Sequence, residues 1–309
     1  MFDIVSVGHF SIDSIFLPSR QSAFTVLGGS VAYASFAARR LDARVSVISK
    51  VGIDFPAAYK WWLQQEGVDL SGLTTVNNEL TTRFELRYSE DLSKRILSST
   101  NRVSPFDIEQ LPNSLKATIV HLAPIAREVN YDIAVKLRPC AEIMSLEIQG
   151  LIRSFDENGN VTLEQPTDKS IFKLVDIVKS TPAEIMTLTG ASDIDSAVTI
   201  MHDFGVAIVI VTLGADGAIV SVEGASHKVP AYQPEKVVDP TGAGDAFIGA
   251  FLAEYAHGED CAWCSNAGAA AASLVVEGIG PTFFGDKEEI CRRARSLSQK
   301  QEENSQGLT

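Results

Sequence analysis

The stretch 239–245, which reads Asp-Pro-Thr-Gly-Ala-Gly-Asp, combines two glycines with two carboxylates just ahead of an apolar run. Gly242 and Gly244 can adopt backbone angles closed to other residues, and they let a ligand approach the main chain. The apolar run over 246–255 is compatible with a helix. A turn that opens into a helix presents unpaired N–H groups and a positive dipole end to an anion. The stretch therefore predicts an anion cradle formed by the amides of Gly242, Ala243 and Gly244.

Asp245 falls in the predicted first turn of that helix, where its carboxylate would repel a bound phosphate. Such a position suits a group that accepts a proton from a hydroxyl attacking the phosphate. Phosphoryl transfer mainly requires alignment and charge stabilisation, which a cradle beside a base provides. The alternative is an aspartate that caps an ordinary helix after a glycine-rich turn. Because the cradle and an apolar helix flank it, we favour Asp245 as a general base.

The elements that position this stretch follow from an alternation of short apolar runs with helical patterns. A turn at 26–30 leads into a small-residue helix over 31–41, and a second helix over 56–66 ends at Gly67. This alternation predicts an α/β fold with a central, mostly parallel sheet covered by helices on both faces. The predicted buried strands are the runs 2–8, 45–49, 118–122, 143–146, 174–178 and 207–212.

Residues 81–88 depart from this pattern, because polar and apolar side chains alternate there with a period of two. Residues 94–99 alternate more weakly, and the connector 89–93 suits a hairpin. These residues predict a half-exposed antiparallel element with an apolar face that includes Phe84. That face can cover a substrate or pair with another subunit in a homodimer, and the alternative is a plain edge hairpin.

The chain has 309 residues, of which 45% are hydrophobic and 21% charged, a composition typical of a globular protein with a substantial core. The net charge of −13 and the pI near 4.8 disfavour binding to nucleic acid or to an anionic membrane. No segment approaches the ~20 apolar residues that span a bilayer, and the first residues lack the basic start of a signal peptide. We therefore expect a cytoplasmic protein that acts on a small molecule.

Other chemistries find little support in the sequence. The four cysteines do not form a disulfide framework in a chain of this length, and Cys261 and Cys264 lack the second pair that a zinc site needs. We expect both to be packing thiols. The Gly-x-x-x-x-Gly-Lys-Ser/Thr motif is absent, which excludes a P-loop kinase. The first strand is not followed by Gly-x-Gly-x-x-Gly, which disfavours a dinucleotide oxidoreductase.

The run Asp-Pro-Thr-Gly-Ala-Gly-Asp-Ala-Phe resembles the signature of the ribokinase-like (PfkB) family of carbohydrate and nucleoside kinases, and similar stretches extend from Val7 to about Phe284. The resemblance implies a ribokinase-like domain over 1–296, with a small β-sheet lid from about 13–27 and 79–102. The polar residues beyond it, 297–309, are expected to be disordered. The resemblance also implies an ATP-dependent sugar or polyol kinase that uses Mg²⁺, and it leaves room for a monovalent cation.

In this family an early aspartate and a Gly-Gly turn contact the substrate, and Asp13, Gly28 and Gly29 match them. A carboxylate can accept hydrogen bonds from two vicinal hydroxyls at once, although a turn-forming aspartate is the alternative for Asp13. Ribokinases and many nucleoside kinases have asparagine four residues after the second glycine, where this chain has Tyr33, which is therefore a candidate substrate-binding residue. That departure disfavours a pentose.

The runs 26–35 and 147–153 are more similar to the myo-inositol kinase branch of the family. Gln149 and Arg153 are therefore candidate substrate contacts, with a structural role as the alternative for each. We expect myo-inositol as the substrate. A nucleoside or pentose kinase is the first alternative, and a non-catalytic sugar-binding regulator on the same fold is a remote one.

The nucleotide side of the family's site is matched by a strand that runs into a glycine-rich turn, with Thr212, Gly214 and Gly217. Thr241 belongs to the same side. Asn266 resembles the position beside adenine, and the small residues around it would let a flat base approach closely.

The family's Mg²⁺-organising motif, Asn-x-x-Glu, reads Thr-Pro-Ala-Glu over 181–184. Glu184 is retained as the candidate metal-binding residue, whereas Thr181 replaces the asparagine and suits the N-cap of a helix that starts at Pro182. Because Mg²⁺ keeps several waters and binds phosphate oxygens, the loss of one outer-shell amide need not abolish binding.

Overall fold

The structure, a computed structural model, describes residues 1–112 and 115–306. Within them, strands and helices alternate along the chain, as predicted. The strands are β1 (Phe2–Val7), β2 (Ser11–Phe16), β3 (Phe24–Gly28), β4 (Val45–Gly52), β5 (Asp69–Val76), β6 (Thr82–Tyr88), β7 (Arg95–Asn101), β8 (Ala117–Leu122), β9 (Ala141–Glu147), β10 (Arg153–Phe155), β11 (Val161–Leu163), β12 (Ile177–Ser180), β13 (Ile208–Thr212), β14 (Ala218–Val222) and β15 (Ala225–Val229). The helices are α1 (Ser30–Arg40), α2 (Ala57–Gln65), α3 (Tyr131–Leu137), α4 (Gln149–Ile152), α5 (Pro182–Thr189), α6 (Ile194–Asp203), α7 (Ala243–Ala256), α8 (Cys261–Val275) and α9 (Lys287–Gln306).

The central sheet has nine strands in the order β15-β14-β13-β12-β9-β8-β1-β4-β5. Neighbouring strands from β13 to β5 are parallel, and only the β13-β14 and β14-β15 pairs at one edge are antiparallel. Parallel strands that are buried on both faces consist of near-continuous apolar runs, which is why the sequence revealed them. The predicted mostly parallel sheet is confirmed.

The helices cover both faces of this sheet and form a hydrophobic core with each face. Side chains alternate along each strand, so Ile4 of β1 packs in the core with α1, α7 and α8, whereas Val5 packs in the other core with α3, α5 and α6. Small residues bring α7 close to α1, since a Cβ on Gly249 would lie 2.2 Å from the Ala34 carbonyl oxygen. Among the described helices, none is long and apolar enough to cross a membrane.

A four-stranded sheet, β3-β2-β6-β7, forms the predicted lid. Its inner face includes Asp13 and Phe84, which pair across β2 and β6. A further hairpin, β10-β11, was not predicted from the sequence. It joins the lid beside β7, where the Ser99 N–H donates to the Gly159 carbonyl at 2.8 Å.

Helix α9 corrects the expectation for the C-terminal segment. Residues 297–309 were predicted to be disordered, but α9 continues to residue 306, and Leu297 is only 1% exposed. The hydroxyl of Ser298 accepts a hydrogen bond from Asn266 of α8. The first half of this segment is therefore packed against the domain, and residues 307–309 lie outside the described residues.

Candidate active site

A cavity that is partly open to solvent lies between the lid and the N-termini of α1 and α7. It is lined by both lid and cradle residues. Arg95 of β7 also lines it and was not predicted from the sequence. Eight of the predicted site residues line the cavity, namely Asp13, Gly29, Tyr33, Gln149, Arg153, Thr241, Gly242 and Asp245.

The predicted anion cradle is the N-terminus of α7, a helix of 14 residues. Gly242 is its N-cap with φ +79°, in the left-handed region that favours glycine. A Cβ there would lie 2.0 Å from Cδ1 of Tyr33. The amide of Ala243 makes only a long bond, 3.4 Å, to the Pro240 carbonyl, and the first N–H groups of a helix have no intrahelical partner. This geometry fits an anion.

Lys179 adds a positive charge beside the cradle and was not predicted from the sequence. It is 6% exposed, and its Nζ would lie 2.4 Å from a Cβ on Gly244, so any side chain there would displace the ammonium. Its ammonium pairs with Glu147, the neighbouring residue on β9, at 3.2 Å. Burial lowers the pKa of Lys179, but the negative charges of Glu147 and Asp245 outweigh burial and hold it above its ordinary value. The ammonium is therefore protonated at neutral pH.

Asp245 lies in the first turn of α7 and lines the cavity. Its Oδ1 lies 3.3 Å from Nε2 of Gln149. Burial raises the pKa of Asp245 to about 7, the charge of Glu147 adds to this effect, and Lys179 opposes it. A carboxyl with a pKa near neutrality is matched to accept a proton at physiological pH.

Gln149 and Arg153 line the cavity and form a chain of hydrogen bonds that reaches Asp245. Gln149 Nε2 also donates to Oγ of Ser30 and, at 3.0 Å, to Oε2 of Glu147. The guanidinium of Arg153 donates to Gln149 Oε1 at 2.6 Å and to the Ile125 carbonyl at 2.9 Å. Arg153 thus fixes the orientation of Gln149, which supports a structural role in addition to any contact with substrate.

Asp13 and Tyr33 present buried polar atoms to the cavity. Asp13 is 5% exposed and Tyr33 is 1% exposed, and neither Asp13 Oδ1 nor the Tyr33 hydroxyl has a hydrogen-bond partner among the described residues. Burial raises the pKa of Asp13 to about 7. An unpaired buried polar atom costs about 1–3 kcal/mol, so a ligand with hydroxyl groups would stabilise both.

Gly28 does not line the cavity, and its contribution is to make room for Asp13. A Cβ on Gly28 would lie 2.0 Å from Asp13 Oδ2. Gly29, with φ +94°, is the N-cap of α1 and does line the cavity. The predicted Gly-Gly turn is present, but only its second residue borders the space for a ligand.

Tyr88 of the lid contacts the cradle stretch. Its hydroxyl lies 2.9 Å from Oγ1 of Thr241, which in turn donates to Oδ1 of Asp239 at 2.6 Å. The other carboxylate oxygen of Asp239 accepts the Gly280 N–H at 2.9 Å. Thr241 was predicted as a nucleotide contact, and in the structure its hydroxyl joins the lid to the segment that carries the cradle.

The predicted nucleotide residues of the β13 turn lie outside the cavity. Thr212 Oγ1 donates to the Ser180 carbonyl at 3.2 Å. Gly214, with φ +63°, faces open space. A Cβ on Gly217 would lie 2.0 Å from the Val229 carbonyl oxygen, so this glycine has a packing role. Contact of these residues with a nucleotide stays a prediction.

Asn266 also lies outside the cavity, in α8, and is 2% exposed. Its Nδ2 donates to Ser298 Oγ at 2.9 Å and to Gln301 Oε1 at 3.1 Å, both on α9. Its position beside a base stays a prediction, and these contacts to α9 do not support it.

Glu184 lies at the start of α5, where it forms a reciprocal cap with Thr181. Its Oε2 accepts the Thr181 N–H at 2.8 Å, and Oγ1 of Thr181 accepts the Glu184 N–H at 3.4 Å. The predicted N-cap role of Thr181 is confirmed. The described residues contain no group of three metal-binding side chains. Because Mg²⁺ typically binds one or two carboxylates plus substrate phosphates, Glu184 fits a site that phosphate completes.

Comparisons with known proteins agree with this geometry. The family model for pfkB family carbohydrate kinases matches residues 1–288. A cytidine kinase of Thermococcus kodakarensis is 30% identical over 289 residues, which cover 91% of this chain and 98% of that protein. A ribokinase of Haemophilus influenzae is 27% identical over 305 residues, with 95% and 93% covered.

A solved structure extends the likeness to the fold. It is a pyrophosphate-dependent kinase in the ribokinase family, complexed with a pyrophosphate analogue and myo-inositol. The TM-score is 0.80 at 24% identity, with 93% of this chain and 98% of that chain covered. The predicted ribokinase-like fold is therefore confirmed.

Proposed function

The chain belongs to the pfkB family of carbohydrate kinases, and we propose that it transfers a phosphoryl group from ATP to a hydroxyl of a small polyol or sugar, with myo-inositol as the best candidate. That it is a kinase of the sugar and nucleoside kinase group follows from the family match and the kinase relatives. One observation carries the proposed mechanism. Asp245 lines the cavity directly beside the 242–244 amides, and burial holds the pKa of its carboxyl at about 7.

In the proposed reaction, Asp245 accepts the proton of the substrate hydroxyl while the hydroxyl oxygen attacks the γ-phosphorus. The O–H bond breaks, a new O–P bond forms, and the bond from the γ-phosphorus to the bridging oxygen breaks, so that ADP leaves. The 242–244 amides and the Lys179 ammonium stabilise the charge on the phosphoryl oxygens. Mg²⁺, when bound, neutralises donor phosphate charge, and Glu184 is the residue proposed to hold it.

Substrate recognition is assigned to Asp13 and Tyr33. Asp13 Oδ1 and the Tyr33 hydroxyl have no partner among the residues described, and a ligand with several hydroxyls can satisfy both. The similarity of the run 147–153 to the myo-inositol kinase branch favours a cyclic polyol. A nucleoside is the second candidate, because the cytidine kinase relative is 30% identical over nearly its whole length.

A substrate panel tests this proposal. The panel contains myo-inositol, ribose, fructose, adenosine and cytidine, and ADP release is followed in a coupled assay with ATP and Mg²⁺. We expect Mg²⁺-dependent ADP release with the highest kcat/KM for myo-inositol. A preference for cytidine or adenosine would overturn the choice of substrate. No release with any of these alcohols would contradict the proposed reaction and favour a sugar-binding regulator.

The donor is tested in the same assay. Asn266 Nδ2 is already bonded to α9, so among the side-chain atoms of Asn266 only Oδ1, which has no partner among the described residues, is open to the base of ATP. The cradle and Lys179 need only phosphate groups, and inorganic pyrophosphate is therefore the matched second donor. We expect ATP to give the higher kcat/KM. Transfer from pyrophosphate alone would contradict the assignment of ATP.

Tyr88→Phe tests the contact between lid and cradle. The substitution removes the hydroxyl that lies 2.9 Å from Thr241 and leaves the ring in place. Loss of one such bond, about 1 kcal/mol, is expected to raise the KM for the preferred alcohol about fivefold with little change in kcat. The control is Tyr131→Phe on α3, where the side chain is 39% exposed. Equal KM values for the two variants would show that the contact does not assist lid closure.

A further inference from the structure

We propose that Glu147 and Lys179 are positioning residues that set how readily Asp245 accepts a proton, an inference that rests on the proposed role of Asp245. The two residues form a buried ion pair with an Nζ to Oε1 distance of 3.2 Å. The pair connects the phosphate cradle at Gly244 with the carboxylate of the base.

Strand order brings the pair together. Glu147 ends β9 and Lys179 lies near the end of β12, and the two are direct neighbours across these parallel strands. Their side chains are 1% and 6% exposed. The Lys179 ammonium reaches the main chain of Gly244, because a Cβ there would lie 2.4 Å from Nζ. A single cation therefore faces both the cradle and Glu147.

Gln149 connects Glu147 to the base. Its Nε2 donates to Glu147 Oε2 at 3.0 Å, and the same nitrogen lies 3.3 Å from Asp245 Oδ1. The carboxyls of Glu147 and Asp245 are also within hydrogen-bonding reach of each other. One amide thus contacts both carboxyls, and among the residues that the structure describes only Glu147 of the two has an ammonium ion-pair partner.

This arrangement favours Asp245 as the carboxyl that accepts a proton. Two buried carboxyls in one site do not both ionise easily, and the Lys179 ammonium lies 3.2 Å from Oε1 of Glu147. When Asp245 takes the substrate proton, its O–H can donate to the Glu147 carboxylate in a charge-assisted bond. Glu147 therefore stabilises the protonated form of Asp245 and raises its pKa, whereas Lys179 lowers it.

Other charged and titratable groups face Asp245 from the lid, the sheet and neighbouring helices. They are unchanged in the variants below, and because the pKa of Asp13 is also raised to about 7, the test uses the difference between variants and not the wild-type midpoint alone. These groups are Asp13 of β2, Tyr33 of α1, Arg95 of β7, His121 of β8 and Arg153 of β10.

The pH dependence of kcat/KM for Glu147→Gln and Lys179→Met tests the inference, measured from about pH 5 to about pH 9 with the best alcohol of the panel. For wild type we expect activity to fall on the acid side with a midpoint near 7, the pKa of Asp245. Loss of the Glu147 charge should shift this midpoint to lower pH, and loss of the Lys179 charge should shift it to higher pH, each by about one unit. Lys179→Arg keeps the charge and should keep the wild-type midpoint.

Opposite shifts distinguish this role from a purely structural ion pair. A structural pair would lower activity or stability in both variants, but it would not shift their pH midpoints in opposite directions. Removal of one partner of a buried pair is destabilising, so a single variant can fail to fold. The double variant Glu147→Gln/Lys179→Met leaves no unpaired charge, and because the two charges act in opposite directions its midpoint should lie between those expected for the single variants, within about one unit of wild type. A double-variant midpoint outside this range, or equal midpoints of the two single variants, would overturn the inference.

Asp245→Asn, assayed in the same series, separates this inference from the proposed function. If Asp245→Asn turns over like wild type, the proposed base is wrong and the roles of Glu147 and Lys179 fall with it. If Asp245→Asn is inactive but the pH midpoints of Glu147→Gln and Lys179→Met do not differ from each other, only the inference about the ion pair is wrong.

Discussion

Asp245→Asn is expected to lower kcat by at least ~10²-fold while the affinity for ATP stays close to that of wild type. Asparagine has the shape of aspartate, but its amide cannot take the proton of the attacking hydroxyl. The cradle amides and Lys179 are untouched, so the donor phosphates keep their contacts. Steady-state kinetics with the preferred alcohol and calorimetric titration with ATP measure the two quantities. Wild-type turnover would contradict the assignment of the base.

The stability of the same variant provides the control. Burial raises the pKa of Asp245 to about 7 from the value of 3.8 expected for an exposed aspartate. A raised carboxyl pKa stabilises the fold fully below the unfolded value, and this contribution is lost as pH rises through the folded value. At about pH 8 the wild type therefore carries a buried charge that asparagine removes. We expect the melting temperature of Asp245→Asn at that pH to equal or exceed that of wild type.

Gly242→Ala is expected to abolish measurable activity and to lower the free energy of unfolding by about 2–4 kcal/mol. Gly242 has φ +79°, where an L side chain is strained. The new Cβ would also lie 2.0 Å from Cδ1 of Tyr33, a ring that is 1% exposed and cannot move aside. Relief of the clash displaces the first turn of α7, and the cradle amides move with it. Chemical denaturation and the coupled assay measure both effects.

Gly258→Ala is the matched control for this substitution. Gly258 follows α7 with φ +90°, and none of the described atoms lies within 4 Å of its ideal Cβ. The variant therefore has the backbone strain without the clash, and we expect a loss of about 1–2 kcal/mol with full activity. Equal stability and equal turnover of the two variants would show that the contact with Tyr33 does not hold the cradle in place.

The cradle and the parallel sheet could be predicted because their signals are local. Asp245 and its two glycines lie in one short stretch, and the helix that follows is apolar throughout. Each buried strand is a run of apolar residues whose composition reflects burial on both faces. Asp13 was predicted from its likeness to a family motif, and Tyr33 from its place where that motif usually has asparagine. The structure adds that both residues line one cavity and that each has a buried polar atom without a partner among the described residues.

Glu147 and Lys179 were missed because their partnership is not local. They are separated by α4 and the β10-β11 hairpin, and only the order β8-β9-β12 makes their strands neighbours. A charged residue at or near the end of an apolar strand was the available signal. Sequence alone does not give the register that places one beside the other, so the ion pair could not be predicted.

The C-terminal segment was predicted to be disordered because its composition is polar. The apolar residues Ile290, Ala294 and Leu297 are spaced for one face of a helix, and all are buried. This stripe begins before the segment and ends at its first residue. The helical periodicity is therefore visible only when residues on both sides of the predicted domain end at 296 are taken together.

Asn266 and Gly217 show that small and polar residues can also serve the fold. Both match family positions for nucleotide binding, and that role stays a prediction. In the structure Asn266 Nδ2 donates hydrogen bonds to α9. Gly217 lets the backbone at the start of β14 lie close to the end of β15. A residue type that permits close approach serves a ligand or a neighbouring backbone equally well, and only the fold distinguishes them.

The most direct test is a crystal structure of the protein with Mg²⁺, a non-hydrolysable ATP analogue and the alcohol that the panel selects. We expect terminal phosphate oxygens about 2.7–3.2 Å from the amide nitrogens of residues 242–244. We also expect the reacting hydroxyl within hydrogen-bond distance of Asp245. A terminal phosphate bound away from the α7 N-terminus, or a hydroxyl that faces a different side chain, would contradict it.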